Sequence, residues 1–318
     1  MCPRNCEIAP GHGGYCFVRQ NRDGVLVLAS YGRSTGLAID PIEKKPLYHY
    51  YPGSKVLSFG TIGCNLGCTF CQNWTTSRSR DVHLLSCECT PAQIAELAQQ
   101  RDCLSVAFTY NEPIVWAEYA VDTAMECRAR GVHTVCVSAG HISESKRRWF
   151  FKPMDAANID LKSFSEDFYR KKTGVSLESI KETLKFIAKE TDIWLEITTL
   201  LISGENDSDE EITAMCRWIR KELGAEIPLH FSAFHPAYKE KDIPSTTPQT
   251  LFKAREIAQK AGLCYVYTGN INDPAGQSTY CPQCKQTVVF RSAYQIEPPE
   301  IDEDQCCKFC GQTIAGRF

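Results

Sequence analysis

No stretch of this sequence approaches the ~18 to 20 continuous apolar residues that a membrane-spanning helix needs. Its start, Met1-Cys2-Pro3-Arg4-Asn5-Cys6, lacks the apolar region of a secretory signal. Net charge is also scarce: 35 Lys and Arg against 38 Asp and Glu leave −3. There is no broad positive field for nucleic acid or anionic lipid, so neither is expected as a partner, and the chain reads as cytoplasmic. Disorder is excluded too, because 43% hydrophobic and 10% aromatic residues in a chain of 318 suffice to bury a sizeable core.

What the sequence has in quantity is cysteine, 18 residues of it. In a reducing compartment, and in a chain too long to need disulfide staples, clustered cysteines point to metal. Cys64, Cys68 and Cys71 form one group, Cys281 and Cys284 a second, and Cys307 and Cys310 a third, with Cys2, Cys6 and Cys16 at the start. The scattered Cys87, Cys89, Cys103, Cys127, Cys136, Cys216, Cys264 and Cys306 are expected to be small buried hydrophobes.

From about Val56 to Ile271, β-rich runs alternate with helical stretches, the pattern of parallel βα units. Strands are expected in 56–63, 104–112, 133–140, 156–163, 193–204, 228–236 and 264–271, with about six helices between them. Such strands close into a full or partial barrel or open into a doubly wound sheet, and in either the chemistry sits at their C-terminal ends. Those ends carry Gly63-Cys64, Asn111-Glu112, Ser138-Ala139-Gly140, Asp160 with Lys162, Ser203-Gly204 and His235.

Gly63-Cys64-Asn65-Leu66-Gly67-Cys68-Thr69-Phe70-Cys71 places three thiols in eight residues directly after a strand, with two glycines to fold the loop. Structural zinc wants four closed ligands, whereas three thiolates on a four-iron cubane leave one iron open for chemistry. The alternatives are a zinc site borrowing a ligand such as His83, or three unmetallated core thiols.

This CxxxCxxC, with an aromatic before its last cysteine, resembles the signature of the radical SAM superfamily. The resemblance implies a partial (β/α)6-type barrel holding a 4Fe-4S cluster and S-adenosylmethionine, cleaved reductively to a 5′-deoxyadenosyl radical that abstracts hydrogen. It further implies that Phe70 lies beside the adenine, that Glu112 receives the methionine amine with Asn111 next to it, and that Ser138 makes a ribose or carboxylate contact. Asp160-Leu161-Lys162 and Phe234-His235 resemble motifs of glycyl-radical-enzyme activases, which makes Asp160, Lys162 and His235 cofactor-binding candidates. Thr198 stands near the place of the activases' fifth-strand arginine, leaving Lys162 to take the cofactor carboxylate.

CPRNC, GHGGYC, YGRSTG, GCNLGCTFCQNW, FTYNEP, NIDLKSF and HFSAFHP extend the match along nearly the whole chain. They resemble the radical SAM member of the AmmeMemoRadiSam set, related to pyruvate formate-lyase activating enzymes. Memo-like and AMMECR1-like partners, a flavodoxin- or ferredoxin-type electron donor and a protein substrate are thereby implied. Relatives of this kind carry an additional cysteine ahead of the Cys2 position. Cys2, Cys6 and Cys16 are candidate zinc ligands with His12 or His49, or they bind nothing. The segment Asp40 to His49, of alternating charge between prolines, is either a solvated connector or a lid.

At the other end, Cys281-Pro282-Gln283-Cys284 and Cys307-Lys308-Phe309-Cys310 are two CxxC knuckles 22 residues apart, the pattern of a zinc ribbon. An iron-sulfur or rubredoxin-type site and an unmetallated tail are the alternatives. Between them lie a hairpin-like arm, TVVFRSAY, and the acidic EPPEIDEDQ, whose carboxylates would repel phosphates. The expected division is an N-terminal extension (1–54), a barrel (55–275) and a zinc-ribbon-like module (276–318). Three functions compete: a radical SAM enzyme acting on a protein or metabolite, a glycyl-radical activase, and a zinc-ribbon binding module on a barrel without catalysis.

Overall fold

The computed structural model describes residues 1–81, 83, 86–292 and 295–318; the last two residues of the expected TVVFRSAY arm, 293–294, lie outside them. One eight-stranded sheet organises the chain. Its strands are β1 (Leu37–Pro41), β2 (Lys55–Phe59), β3 (Ser105–Phe108), β4 (His133–Ser138), β5 (Ala156–Asp160), β6 (Trp194–Leu201), β7 (Leu229–Ala233) and β8 (Val266–Gly269). Neighbours in sequence are neighbours in the sheet throughout, and all pairs are parallel except β1 with β2. A doubly wound sheet reverses its strand order at a switch point; this one does not, and with β1 and β8 as its edges it is a partial barrel.

The seven expected strands are all present, and β1 is an addition that composition did not mark. Six helices fill the crossovers: α1 (Pro91–Gln100), α2 (Ala117–Ala129), α3 (Glu144–Phe151), α4 (Leu177–Glu190), α5 (Asp209–Glu222) and α6 (Pro248–Lys260). Their starts are written locally. Thr90 and Gln93 form a capping box before α1, and Ser208 caps α5 ahead of three acids. Ile94 and Ala98 of α1, Leu184 and Ile187 of α4, and Met215 and Ile219 of α5 pack onto Val106, Phe108 and Ile197 in the main core.

Strand side chains alternate between this core and the barrel interior, which sorts the inward residues into two layers. The register sets Asn158 beside Glu196, and His230 beside Tyr267, in a lower layer. Asp160 beside Thr198, Leu200 beside Ser232, and Gly269 form the upper one. The lower layer is plugged by the segment after β1. Asn158 Nδ2 donates to the Pro46 carbonyl (2.7 Å), and the N–H groups of Tyr48 and His49 donate to the Glu196 carboxylate (3.0 and 2.8 Å). His230 pairs with that carboxylate at 2.6 Å, and His49 Nε2 meets the Tyr267 hydroxyl. The segment is therefore no solvated connector: most of residues 42–50 is buried, and Lys44, Lys45 and Pro46 border the cavity at the upper rim.

Among the described residues no helix is long and apolar enough to cross a membrane. Of the scattered cysteines, Cys89, Cys103, Cys127, Cys136 and Cys216 are buried, whereas Cys87 and Cys264 are exposed and Cys306 is half-buried. Cys87 sits in a two-residue edge strand, and Cys264 just ahead of β8, where no core face is offered.

Candidate active site

The thiol-bearing loop leaves β2 at the upper rim and is tied down from several elements. Gly63 N–H donates to the Thr76 carbonyl (3.1 Å), Gly67 N–H to Thr173 (2.7 Å) and Thr69 N–H to Lys172 (2.9 Å). Gly63 has φ +85°, and a Cβ there would run into the Cys16 carbonyl, while one on Gly67 would strike the Tyr15 hydroxyl. Both glycines are needed because the N-terminal segment lies across the loop, with the Arg4 guanidinium 3.6 Å from the centre of the Tyr15 ring.

Cys64, Cys68 and Cys71 line a cavity of about 360 Å³ together with Phe70, Asn111, Glu112, Ser138, Asp160 and Lys162. Glu112 is buried; its Oε1 accepts from Ser138 Oγ (2.6 Å) and its Oε2 from the Ala139 N–H (2.8 Å). Burial pushes its carboxyl up to about 7, against these hydrogen bonds, which favour the charged form. Lys162 Nζ donates to Asp160 Oδ2 at 2.7 Å. Burial works against its charge, but Asp160 and Cys68 outweigh it and hold the ammonium above its ordinary range. Asn111 spends its amide on the loop, accepting from the Thr61 N–H (3.1 Å) and donating to the Gly63 carbonyl (2.7 Å).

His235 is not among the lining residues. The chain turns after Ala233, and His235 is exposed, with Nδ1 3.2 Å from Ser245 Oγ. Ser203-Gly204 lies beyond the end of β6 and likewise stays outside; Thr198 and Leu200 of that strand line the cavity instead. Sequence reasoning missed Ser232 and Asn270 as lining residues, whereas Lys44, Lys45 and Pro46 belong to the segment expected as a connector or lid. The two-residue alternation Glu196/Thr198 and His230/Ser232 was the available signal for the inward positions.

Among the described residues, Cys281, Cys284, Cys307 and Cys310 bring their sulfurs within 4.8 Å of one another, the compact set that a single ion needs. Burial, reinforced by neighbouring acidic groups, raises the Cys64 thiol; burial also pushes Cys68 up to about 12, so a bound metal would have to displace those protons. The Thr198 hydroxyl is buried in the same cavity wall with no hydrogen-bond partner. An orphaned hydroxyl in a cavity that three thiols also line fits a bound polar cofactor.

The C-terminal quartet is built from two matching turns. Cys281 N–H donates to Gln286 and Lys285 N–H back to Cys281; Cys307 N–H donates to Gln312 and Gly311 N–H back to Cys307. Lys285 and Gly311 both take the left-handed conformation, φ 63° and 75°. Sγ atoms approach to 3.6 Å (Cys281 to Cys310) and 3.8 Å (Cys284 to Cys307), close to the ~3.8 Å edge of a tetrahedron with ~2.3 Å zinc–sulfur bonds.

Cys2, Cys6 and Cys16 form no such set among the described residues. Cys16 is buried in the core, Cys6 is exposed, His12 bonds the Pro10 carbonyl, and His49 is held in the lower layer.

The description of the radical SAM superfamily matches residues 59–216. An uncharacterized protein of Methanocaldococcus jannaschii is 41% identical over 99% of this chain and 93% of its own length. The pyruvate formate-lyase-activating enzyme of Clostridium pasteurianum is 23% identical over 60% of this chain and 84% of its own. The 4-hydroxyphenylacetate decarboxylase activating enzyme of Clostridioides difficile is 29% identical over 39% of this chain, which spans 40% of that enzyme. A solved radical SAM methyltransferase from Sphaerobacter thermophilus shares the fold with TM-score 0.55 over 72% of this chain and 71% of that one, at 15% identity. The chain belongs to the radical SAM superfamily and is related within it to the activating enzymes. Membership implies an enzyme with a 4Fe-4S cluster and S-adenosylmethionine.

Proposed function

We propose that Cys64, Cys68 and Cys71 hold the 4Fe-4S cluster and that the chain uses it to start a hydrogen abstraction from a protein or metabolite. When bound, cluster and cofactor supply one-electron cleavage of the sulfonium: an electron from a flavodoxin- or ferredoxin-type donor yields methionine and a 5′-deoxyadenosyl radical, which takes a hydrogen atom from the substrate. The observation that carries this reading is the shared cavity, in which the three thiols, buried Glu112 and Lys162 meet an unpartnered Thr198 hydroxyl.

In this reading Glu112, oriented by Ser138 and the Ala139 N–H, accepts the cofactor's amine. Lys162, kept charged by Asp160, meets the carboxylate in place of the absent arginine, and Thr198 offers its hydroxyl there. Phe70, packed on Phe168 with ring centres 5.8 Å apart, flanks the adenine. Asn111 holds the loop. Residues 276–318 carry a structural zinc on Cys281, Cys284, Cys307 and Cys310, and residues 1–54 cover the loop and plug the barrel.

The test is anaerobic reconstitution with iron and sulfide, followed by S-adenosylmethionine and a strong reductant. About four irons per chain beyond the C-terminal metal, with 5′-deoxyadenosine formed, is the expected result; zinc alone and no nucleoside would overturn it. A glycyl-radical activase is the second reading, favoured by the activating enzymes among the relatives. Memo-like and AMMECR1-like partners rest on the sequence resemblance.

A further inference from the structure

The reaction cavity does not end at the cofactor residues. A second cavity of about 910 Å³ adjoins it, and the two share Lys44, Lys45, Pro46, Tyr110, Ser232 and Asn270 as a common wall. Apart from Tyr110, everything that lines the second cavity lies outside the stretch 59–216 matched by the superfamily. The reaction cavity, in contrast, takes its thiols, Glu112, Asp160, Lys162 and Thr198 from inside that stretch. Chemistry common to a superfamily belongs in the shared part of the fold, and selection of a particular substrate in the part that is not shared.

Two residues that line the second cavity, Glu43 and Gln277, each carry a buried acceptor that the chain leaves unsatisfied. Glu43 is 5% exposed and Gln277 7% exposed, and neither Glu43 Oε2 nor Gln277 Oε1 has a hydrogen-bond partner. Gln277 Nε2 donates to the Ile271 carbonyl at 2.9 Å, so the amide's donor end is occupied and its oxygen is left over. Glu43 Oε1 accepts from the Gly53 N–H (3.0 Å) and faces Arg291 Nε at 3.6 Å, leaving Oε2 as the spare atom. A buried acceptor without a donor is destabilising, and a ligand N–H or O–H would relieve it. The lysines of the wall are already matched by an acid: Asp40 accepts from Lys44 (3.1 Å) and from Lys45 (2.9 Å). An anion would compete with Asp40, whereas a donor would meet an acceptor that has none.

We infer that this second cavity is the substrate pocket, and that its occupant is a small neutral or cationic molecule rich in N–H or O–H donors, of the class of amino alcohols, sugars or amino sugars. The inference rests on the radical reading of the first cavity, since the shared wall of Tyr110 and Ser232 is where a substrate C–H would face the cofactor.

Saturation-transfer NMR on the full chain, with and without the reconstituted cluster, tests it using glucosamine, ribose and ethanolamine as probes and trimethylglycine, which has no N–H or O–H donor, as the control. At least one donor-rich probe should bind, trimethylglycine should not, and Gln277→Met and Glu43→Gln should each weaken the bound probe about tenfold or more. Because Glu43→Gln disturbs the Arg291 pairing, Gln277→Met is the decisive variant if the former fails to fold. Binding of none of the three donor-rich probes, as for a pocket that admits a protein loop instead, would overturn the inference. So would equal binding by wild type and Gln277→Met. Formation of 5′-deoxyadenosine by the wild type, measured on the same preparation, separates the two failures. Its absence counts against the radical reading, while absent probe binding counts against the pocket.

Discussion

The two layers of the barrel interior come from the same strands and differ in how their charged groups are used, although Asn158 Oδ1 in the lower layer, like Thr198 Oγ1 in the upper, has no partner. In the lower layer, Glu196 takes two backbone N–H groups, His230 and the Trp194 indole, and Asn158 and Tyr267 reach the same plugging segment. Two residues further along β6, Thr198 has no partner, and it shares its cavity with the raised Cys64, Cys68 and Glu112. A polar group satisfied by the chain holds the fold; one left unsatisfied at the rim is held for a ligand. The upper layer should therefore carry chemistry with little bearing on stability, and the lower layer the reverse.

The largest effect that would sharpen this contrast is Cys68→Ala. Iron at the triplet and 5′-deoxyadenosine formation should both vanish, while metal analysis still finds the C-terminal ion and the thermal midpoint of the metal-free triplet hardly moves. Persistence of iron and cleavage together would refute the assignment of the triplet.

Next in size is Glu196→Leu. It strands His230 and two backbone donors in the interior, at a cost of about 3–5 kcal/mol, read by denaturant unfolding. Iron bound per folded chain should be unchanged; equal loss of stability and iron would erase the distinction between layers.

Acid should act on the lower layer in the same direction. Burial holds the His49 imidazole down at about 4 from its usual 6.5, and Glu196 is also held below the usual carboxylate range: burial opposes this, but His230 outweighs it. Below pH 6.5 the unfolded chain takes up the proton that His49 refuses, so stability is fully present above that pH and falls as pH drops towards 4, by about 3 kcal/mol. A flat unfolding profile between pH 6.5 and 4 would contradict the buried plug.

The smallest effect belongs to Glu112→Gln. Loss of a charged acceptor is worth about 1.5–3 kcal/mol, an expected ten- to hundredfold weakening of S-adenosylmethionine binding by equilibrium titration, with iron content retained. Unchanged affinity would remove Glu112 from the cofactor site.

Much of this was legible in the sequence for a local reason. Strands buried on both faces read as apolar runs, and Thr90, Pro91, Ser208 and the acids after it mark helix starts within one turn. The rim residues Glu112, Ser138, Asp160 and Lys162 were found because each ends or follows a strand. His235 was misplaced because one turn after Ala233 carries it outward, and Ser232 and Asn270 were missed because nothing local announces which residues line a barrel's interior.

The sequence by itself determined the two cysteine sites, because CxxxCxxC and the paired CxxC turns set their ligands within a few residues of one another. It also determined the alternation that builds parallel strands. Only the tertiary structure decided that the triplet faces a cavity with Glu112 and Lys162 and that the two CxxC turns draw their four sulfurs together. The same holds for the segment at Tyr48, which plugs the barrel through Glu196, 148 residues away, and for Thr198, Glu43 and Gln277, which keep atoms without partners. Those outcomes depend on strand register and on which side chains meet across the interior, and such contacts are made between parts of the chain that no local pattern connects.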